Sequence, residues 1–155
     1  MCGRFELKTN FEKLPKVLKK DYPRGLYFKY ETQDLIRPND PVLVIKNEGK
    51  IKTTFMSWGF ISPWAKNAFD KKIPRPFNAR SETIEGKKLF SGSWKHKRCL
   101  IPATGFFEKN YRIRKENYET FWLGGIWSKW TSLDGGELES CCVLTTEPNE
   151  LIKPL

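Results

Sequence analysis

Apolar residues recur along this chain mainly with the two-residue period of β-strands, and with a helical period in only a few short stretches. Near the start, Leu14, Val17 and Leu18 follow a helical spacing, which predicts a short helix over Phe11–Lys20 with Asn10 as its N-cap. The proline inside this stretch is compatible with a helix because it falls in or near the first turn.

Strand patterns dominate the rest of the sequence and are separated by turn residues. Residues 47–49 indicate a hairpin turn, and the proline-containing residues 61–76 indicate a long loop. One further helical stretch is expected to open at Ser81 or Thr83, and another at Asn149. Strands are expected at Leu26–Thr32, Val42–Lys46, Lys50–Trp58, Arg98–Ile101, Gly105–Lys109, Tyr118–Leu123, Ile126–Trp130 and Leu138–Thr145.

This order of elements predicts the α+β fold class. The 155 residues are enough for one domain with a substantial core, and an aromatic content of 14% argues against disorder. We therefore expect residues 1–155 to form a single, mostly β domain. Its sheets should be twisted, antiparallel or mixed, and barrel-like, with a few short helices.

The charge of the chain suggests a polyanionic partner. Lys and Arg number 28 against 18 Asp and Glu, a formal net charge of +10. Together with many aromatic residues, this charge suits a phosphate backbone with stackable bases, although a solvated basic surface is the simpler alternative. No apolar run reaches the roughly 18 residues of a membrane span, and no secretory signal is recognisable.

The cysteine pattern does not suggest a metal site. No C-x-x-C spacing occurs among Cys2, Cys99, Cys141 and Cys142, and His96 is the only histidine. We therefore expect no metal, no cofactor and reduced thiols. Cys141 and Cys142 should point to opposite faces of a strand.

Cys2 is the first candidate for chemistry, because removal of Met1 would place an α-amine and a thiol on adjacent carbons. A neutral amine can form a Schiff base with an aldehyde, and the neighbouring sulfur can then close a five-membered thiazolidine ring. The alternative is an ordinary small residue at a frayed terminus.

Two internal segments could complete such a site. Asn78, Arg80 and Glu82 lie within five residues of an expected loop-to-helix junction, which suits a phosphate-facing site or, alternatively, a capped helix with surface charges. Glu108 follows Gly105-Phe106-Phe107. Its carboxylate either faces a cleft, where its pKa would be raised, or lies on the solvent-facing side of a strand.

Five segments together resemble the SOS-response-associated peptidase family, the abasic-site processing proteins of single-stranded DNA. They are Met1–Phe5, Trp58-Gly59, Asn78–Thr83, Arg98–Ala103 and Gly105–Glu108, in that order. The resemblance covers nearly the whole chain and implies covalent capture of the abasic-site aldehyde as a thiazolidine, with self-removal of Met1 and possible lyase activity.

The resemblance also implies a role for individual residues. Cys2 would supply amine and thiol, Asn78 would hold the terminus and the sugar, and Glu108 would transfer protons. Contacts to the DNA strand are implied for Arg4, Pro38, Trp64, Arg80 and Thr145.

The chain departs from the family pattern at several positions. Leu35-Ile36-Arg37-Pro38 keeps only the hydrophobic residue and the proline of an expected Asn–hydrophobic–Ala–Pro segment. The family's His-x-Arg-x-Pro motif would begin just beyond Leu155, so we expect a domain that is incomplete at its C-terminus. Impaired catalysis would leave a single-stranded nucleic-acid-binding module, and a thiol peptidase is a third alternative, disfavoured without an imidazole partner.

The resemblance finally implies the setting in which the protein works. The expected partner is single-stranded DNA that contains abasic sites, with no membrane and a monomeric protein. The expected location is cytoplasmic and nucleoid-associated, or nuclear if the protein is eukaryotic.

Overall fold

A computed structural model describes residues 2–20, 22 and 30–155. Two α-helices lie in this part of the chain, α1 (Lys16–Lys20) and α2 (Lys88–His96). Ten strands accompany them: β1 (Phe5–Leu7), β2 (Gln33–Ile36), β3 (Pro41–Asn47), β4 (Ile51–Trp58), β5 (Asn78–Arg80), β6 (Arg98–Ala103), β7 (Gly105–Glu108), β8 (Tyr111–Ile113), β9 (Phe121–Thr131) and β10 (Glu137–Thr145).

Five of the strands close into a barrel in the order β4-β3-β6-β9-β10. The closure is a parallel contact between β10 and β4, in which Ser140 pairs with Ser57 and Cys141 with Trp58. Strand β5 pairs in parallel with the same edge of β10 as β4, further toward the end of β10. The long strand β9 pairs with both β6 and β10 and is the centre of the barrel wall.

A smaller antiparallel sheet, in the order β2-β1-β7-β8, brings the N-terminal segment beside β7. The mixed and antiparallel sheets, the barrel and the few short helices confirm the predicted fold class. No described helix is long and apolar enough to cross a membrane.

The two-residue period of β10 divides the core into an inner and an outer part. Cys141 packs inside the barrel with Trp58 and Trp127, whereas Cys142 packs with Phe60 and Phe90 beneath α2. Both thiols are buried, and all four cysteines are free. The prediction that the adjacent cysteines point to opposite faces is thus confirmed.

The predicted helix over Phe11–Lys20 is divided in two. A 3-10 turn covers Phe11–Lys13, and α1 begins only after Pro15, because proline cannot donate the hydrogen bond that would continue the first turn. Asn10 makes no side-chain capping bond, and Val17 is exposed although it was assigned to the apolar stripe. Leu14 and Leu18 are buried as predicted.

Several element boundaries also differ from the predictions. The strands predicted at Tyr118–Leu123 and Ile126–Trp130 are one strand, β9, and the short strands β1, β2, β5 and β8 were not predicted. The strand predicted at Leu26–Thr32 lies largely in residues 23–29, outside the described residues, and Tyr30–Thr32 is not a strand.

The remaining helical predictions are partly correct. Thr83 leads into a 3-10 turn over Ile84–Gly86 without a side-chain capping bond, and the α-helix begins only at Lys88. The segment that follows Asn149 forms turns rather than a helix. The predicted hairpin is confirmed, but its turn covers residues 48–50 rather than 47–49, because Asn47 still pairs with Ile51. The long loop over residues 61–76 is confirmed.

Candidate functional site

A cavity of about 460 Å³ lies where the smaller sheet meets the barrel. Cys2 forms part of its wall, together with Phe106 and Glu108 of β7 and Val143 and Thr145 of β10. The antiparallel pairing of β1 with β7 brings the N-terminal segment to this position. Residues separated by more than a hundred positions in sequence therefore share one cavity.

Asn78 fixes the backbone of Cys2. Its Nδ2 donates a hydrogen bond of 2.9 Å to the carbonyl oxygen of Cys2. Asn78 is held in turn because β5 pairs in parallel with β10, opposite Val143. Its Oδ1 is buried and accepts no hydrogen bond from the described residues, so an acceptor is left for an additional donor.

The Cys2 thiol is half-buried, and its ionisation is disfavoured. Burial raises the pKa of Cys2 to about 11, and the nearby charge of Glu108 adds to this rise. Sγ donates a hydrogen bond to the carbonyl oxygen of Arg4 at 3.5 Å, an interaction that only the protonated thiol can make. At neutral pH the sulfur therefore carries its proton, and a nucleophilic role requires a group that accepts it.

Glu108 occupies the last position of β7 and lies in the wall of the same cavity. Of the two orientations that the sequence left open, the structure has the one that faces the cavity. The negative charge of its carboxylate contributes to the raised pKa of the Cys2 thiol.

The two arginines of the predicted strand path lie at the surface and make intramolecular contacts. Arg4 donates from Nη2 to the carbonyl oxygen of Lys109 at 3.0 Å, and its guanidinium lies over the ring of Phe107. Arg80 forms a hydrogen-bonded ion pair with Glu147 and a longer one of 3.8 Å with Glu82.

Residues 78–83 were predicted to be a loop that leads into a helix, and this prediction is wrong for residues 78–80. They form β5 because they complete the exposed edge of β10, where Thr145 lies directly opposite Arg80. Tertiary strand pairing has therefore replaced the local helix-start signal.

Pro38 and Trp64 are not part of the cavity wall. Pro38 is half-buried in the turn that precedes β3, and Trp64 is 61% exposed in the long loop between β4 and β5. The structure thus brings Cys2, Glu108 and Thr145 together at one cavity and leaves Pro38 and Trp64 outside it. Asn78 is hydrogen-bonded to the backbone of Cys2.

Sequence reasoning missed the part of the cavity wall that follows β10. Pro148, Asn149 and Ile152 contribute to it, and Glu82 fastens the segment by accepting hydrogen bonds of 2.8 Å from the Thr146 hydroxyl and the Glu147 amide. The only sequence signal was that this segment directly follows a strand predicted to carry a site residue. No group of three or more metal-ligating side chains is clustered among the residues that the structure describes.

Comparison with known proteins gives consistent results in sequence and in structure. The model of the family described as SOS response associated peptidase (SRAP) matches residues 1–155. Abasic site processing protein YoaM of Bacillus subtilis is 34% identical over 168 residues, which covers 100% of this chain and 71% of that protein. Abasic site processing protein YedK of Escherichia coli is 28% identical over 113 residues, covering 70% of this chain and 47% of that protein.

A solved structure of a Bacteroides thetaiotaomicron protein shares the fold. Its TM-score is 0.74 at 21% identity, and the match covers 97% of this chain and 70% of that one. A Bordetella bronchiseptica structure matches with a TM-score of 0.71 at 20% identity, covering 96% and 74%. With the family match over its full length, this chain belongs to the SOS response associated peptidase family.

Proposed function

We propose that this chain captures abasic sites in single-stranded DNA as a covalent thiazolidine formed by Cys2. The names of its curated relatives support the lesion as the substrate. The observation that carries the proposal is the arrangement at the cavity, where Asn78 holds the Cys2 carbonyl and Glu108 faces the same space as the thiol. An open-chain abasic site presents an aldehyde, the group that a 1,2-aminothiol traps.

The reaction begins with hydrolysis of the Met1–Cys2 peptide bond, which frees the α-amine of Cys2. The amine then adds to the aldehyde carbon, and loss of one water gives an imine. The sulfur attacks the imine carbon while the thiol proton is transferred to the imine nitrogen, which closes the ring. No oxidant or reductant takes part, and the product has the mass of protein plus DNA minus one water.

Glu108 is the acid–base group in this scheme. Because burial raises the pKa of the Cys2 thiol, the sulfur needs a neighbouring carboxylate to accept its proton during ring closure. The same carboxyl group can first protonate the hydroxyl that leaves as water. The unused Oδ1 of Asn78 is available to accept a hydrogen bond from the freed amine or from the sugar.

The DNA strand would reach the cavity along the basic surface. Arg4 and Arg80 are exposed and suit phosphate contacts, Thr145 lies at the cavity wall, and Pro38 and Trp64 would serve as packing surfaces further along. The net charge of +10 supports a polyanionic partner. We extend the proposal to a monomer that works where chromosomal DNA is accessible, in the cytoplasm or, in a eukaryote, in the nucleus.

Intact mass spectrometry tests the proposal with one protein preparation. Loss of the Met1 residue, followed by an adduct of protein plus abasic oligonucleotide minus water, is the expected result. Cys2→Ser should lose the adduct that resists denaturation, since a hydroxyl closes the imine much less readily and the Schiff base hydrolyses.

Blocking the amine is the second control. A variant that retains Met1 keeps the thiol but should form no adduct, because its nitrogen is an amide. A stable adduct with retained Met1 would disprove the thiazolidine mechanism. Reversible binding without any adduct would leave only the nucleic-acid-binding alternative.

A further inference from the structure

An exposed aromatic side chain, Phe69, projects from the loop between β4 and β5 (residues 59–77). It is 73% exposed, the largest fraction among the exposed aromatic residues that the structure describes. Its ring lies edge-on to Trp130, with centroids 6.2 Å apart and an interplanar angle of 82°. Trp130 itself is only 7% exposed, and its Nε1 donates to the Ala65 carbonyl at 2.6 Å. A fixed, buried ring therefore supports an exposed one.

The loop that carries Phe69 is anchored to the barrel. The Ile61 amide donates to the Ser140 hydroxyl at 2.8 Å, and Ala68 packs with Ile61 and Trp130 in a small cluster of its own. The Phe69 amide donates to Asn67 Oδ1 at 2.9 Å, which fixes the turn immediately before the ring. An apolar side chain that is exposed on a loop of defined shape is suited to contact a partner.

The charges on the same loop indicate what kind of partner fits. Lys66, Lys71 and Lys72 are exposed, and no carboxylate of the described residues lies within 4 Å of their Nζ atoms. Asp70 is the only acidic residue of the loop, and its carboxylate accepts the amide of Lys72 at 2.9 Å. The loop thus combines an exposed ring with three cations that are not neutralised.

We propose that Phe69 and Lys66, Lys71 and Lys72 form a second contact surface for single-stranded nucleic acid, separate from the cavity. A base stacks on the Phe69 ring, and the lysines neutralise neighbouring phosphates. Three unpaired lysines favour a polyanion over an apolar protein surface. The proposal rests on the proposed function for the identity of the strand, but it requires no covalent step.

The position of this surface defines which part of the strand it contacts. Trp130 pairs with Leu138 near the start of β10, whereas the cavity is lined by Val143 and Thr145 near its end. The five residue steps from Leu138 to Val143 span roughly 17 Å along the strand. The surface therefore contacts bases several nucleotides from the lesion rather than the lesion itself.

Equilibrium binding of an undamaged 15-nucleotide oligothymidylate, followed by fluorescence anisotropy, tests the surface without Cys2 chemistry. Phe69→Ala should weaken binding about 10-fold, the effect of losing one stacked base, while Phe69→Trp should retain it. Leu133→Ala removes an even more exposed apolar side chain, from the β9–β10 turn, and should leave affinity unchanged. Replacing Lys66, Lys71 and Lys72 with Gln should weaken binding and reduce its salt dependence, whereas Lys50→Gln should not.

Adduct formation on saturating abasic DNA separates this inference from the proposed function. Phe69→Ala should form the adduct with wild-type yield, so a failure of all variants to form it would count against the covalent mechanism alone. Wild-type affinity of Phe69→Ala for the oligothymidylate would overturn the second surface and assign the exposed ring to a different partner.

Discussion

The Cys2 thiol is held in an environment that suppresses its ionisation. Its sulfur is half-buried at the junction of two sheets, and the Cys2 backbone is bonded to Asn78. A protonated thiol is protected from unwanted oxidation and alkylation, since the thiolate is the reactive form. The cavity therefore keeps the Cys2 thiol protonated, and so weakly reactive, at neutral pH.

This environment predicts the pH dependence of thiol alkylation. Because burial raises the pKa of Cys2 to about 11, its reaction rate with iodoacetamide should continue to rise with pH beyond the ordinary thiol value of 9.0. Labelling of Cys2 should be measured by peptide mass spectrometry in native protein between pH 7 and 11. A rate that levels off near pH 9 would show that the thiol is solvated. Cys2→Ser identifies any background from the three buried cysteines.

Glu108 should affect the rate of adduct formation rather than DNA affinity. Glu108→Gln keeps the shape of the side chain but removes the titratable proton, so adduct formation should slow by roughly 100-fold or more. Single-turnover kinetics with abasic oligonucleotide measures this rate, and anisotropy measures reversible binding. Glu116→Gln makes the same change at an exposed position and should have no effect. Unaltered kinetics in Glu108→Gln would exclude it as the acid–base group.

At the scale of elements, the smaller sheet aligns the N-terminal segment with the strand that carries Glu108. Glu6 of β1 is 1% exposed and lies across from Gly105 of β7. Arg112 of β8 donates to Glu6 Oε1 from Nε and Nη2 at 3.1 and 2.8 Å. One ion pair, between the buried Glu6 carboxylate and the exposed Arg112, thus links β1 to β8 across Gly105 of β7.

Gly105 is required by this ion pair, and its substitution should destabilise the fold. A Cβ at Gly105 would lie 2.6 Å from Glu6 Oε1 and 3.2 Å from the Ile113 carbonyl oxygen, so we expect Gly105→Ala to cost about 1–3 kcal/mol. Urea unfolding measures the loss. Gly92→Ala, in the interior of α2 with nothing within 4 Å of its Cβ, should instead stabilise by up to about 1 kcal/mol. Equal stability of Gly105→Ala and wild type would contradict the close approach.

The sequence predicted β3, β4, β6 and β10 well because their apolar periodicity is local. It did not predict β5, whose three residues form a strand only because β10 offers a parallel edge. Nor did it predict that β9 is continuous through Gly124 and Gly125. There the missing side chain is a packing requirement, since a Cβ at Gly125 would lie 2.8 Å from the Cys142 carbonyl oxygen. Contacts between distant segments, rather than local propensity, decided these cases.

The candidate site could likewise be predicted only where local motifs define it, and not where distant segments meet. The family motifs identified Cys2 and Glu108, and the structure places both at one cavity. The cavity wall after β10, and the pairing of Arg80 with Glu147, depend on how the last described segment folds back. No local pattern in residues 146–155 encodes that arrangement.

At the scale of the whole molecule, a net charge of +10 is distributed over a surface where some cations are paired and others are not. Arg80 is exposed but contacts Glu147 and Glu82, so a phosphate that binds Arg80 must compete with these carboxylates. In the described part of the chain, Arg4 and Arg37 have no carboxylate within 4 Å. Their charges are available without such competition.

The affinity for single-stranded DNA should therefore fall steeply with salt, by a log–log slope of about 0.7 for each phosphate neutralised. Arg80→Gln should reduce this slope by about one such unit if Arg80 binds a phosphate. Glu147→Gln should raise the affinity for single-stranded DNA, because it removes the carboxylate that competes with phosphate for Arg80. Anisotropy titrations between 50 and 300 mM salt measure both, with Glu116→Gln as the control for net charge. If Glu147→Gln binds no more tightly than Glu116→Gln, Arg80 does not contact the strand, and the phosphate path must be assigned to the unpaired cations.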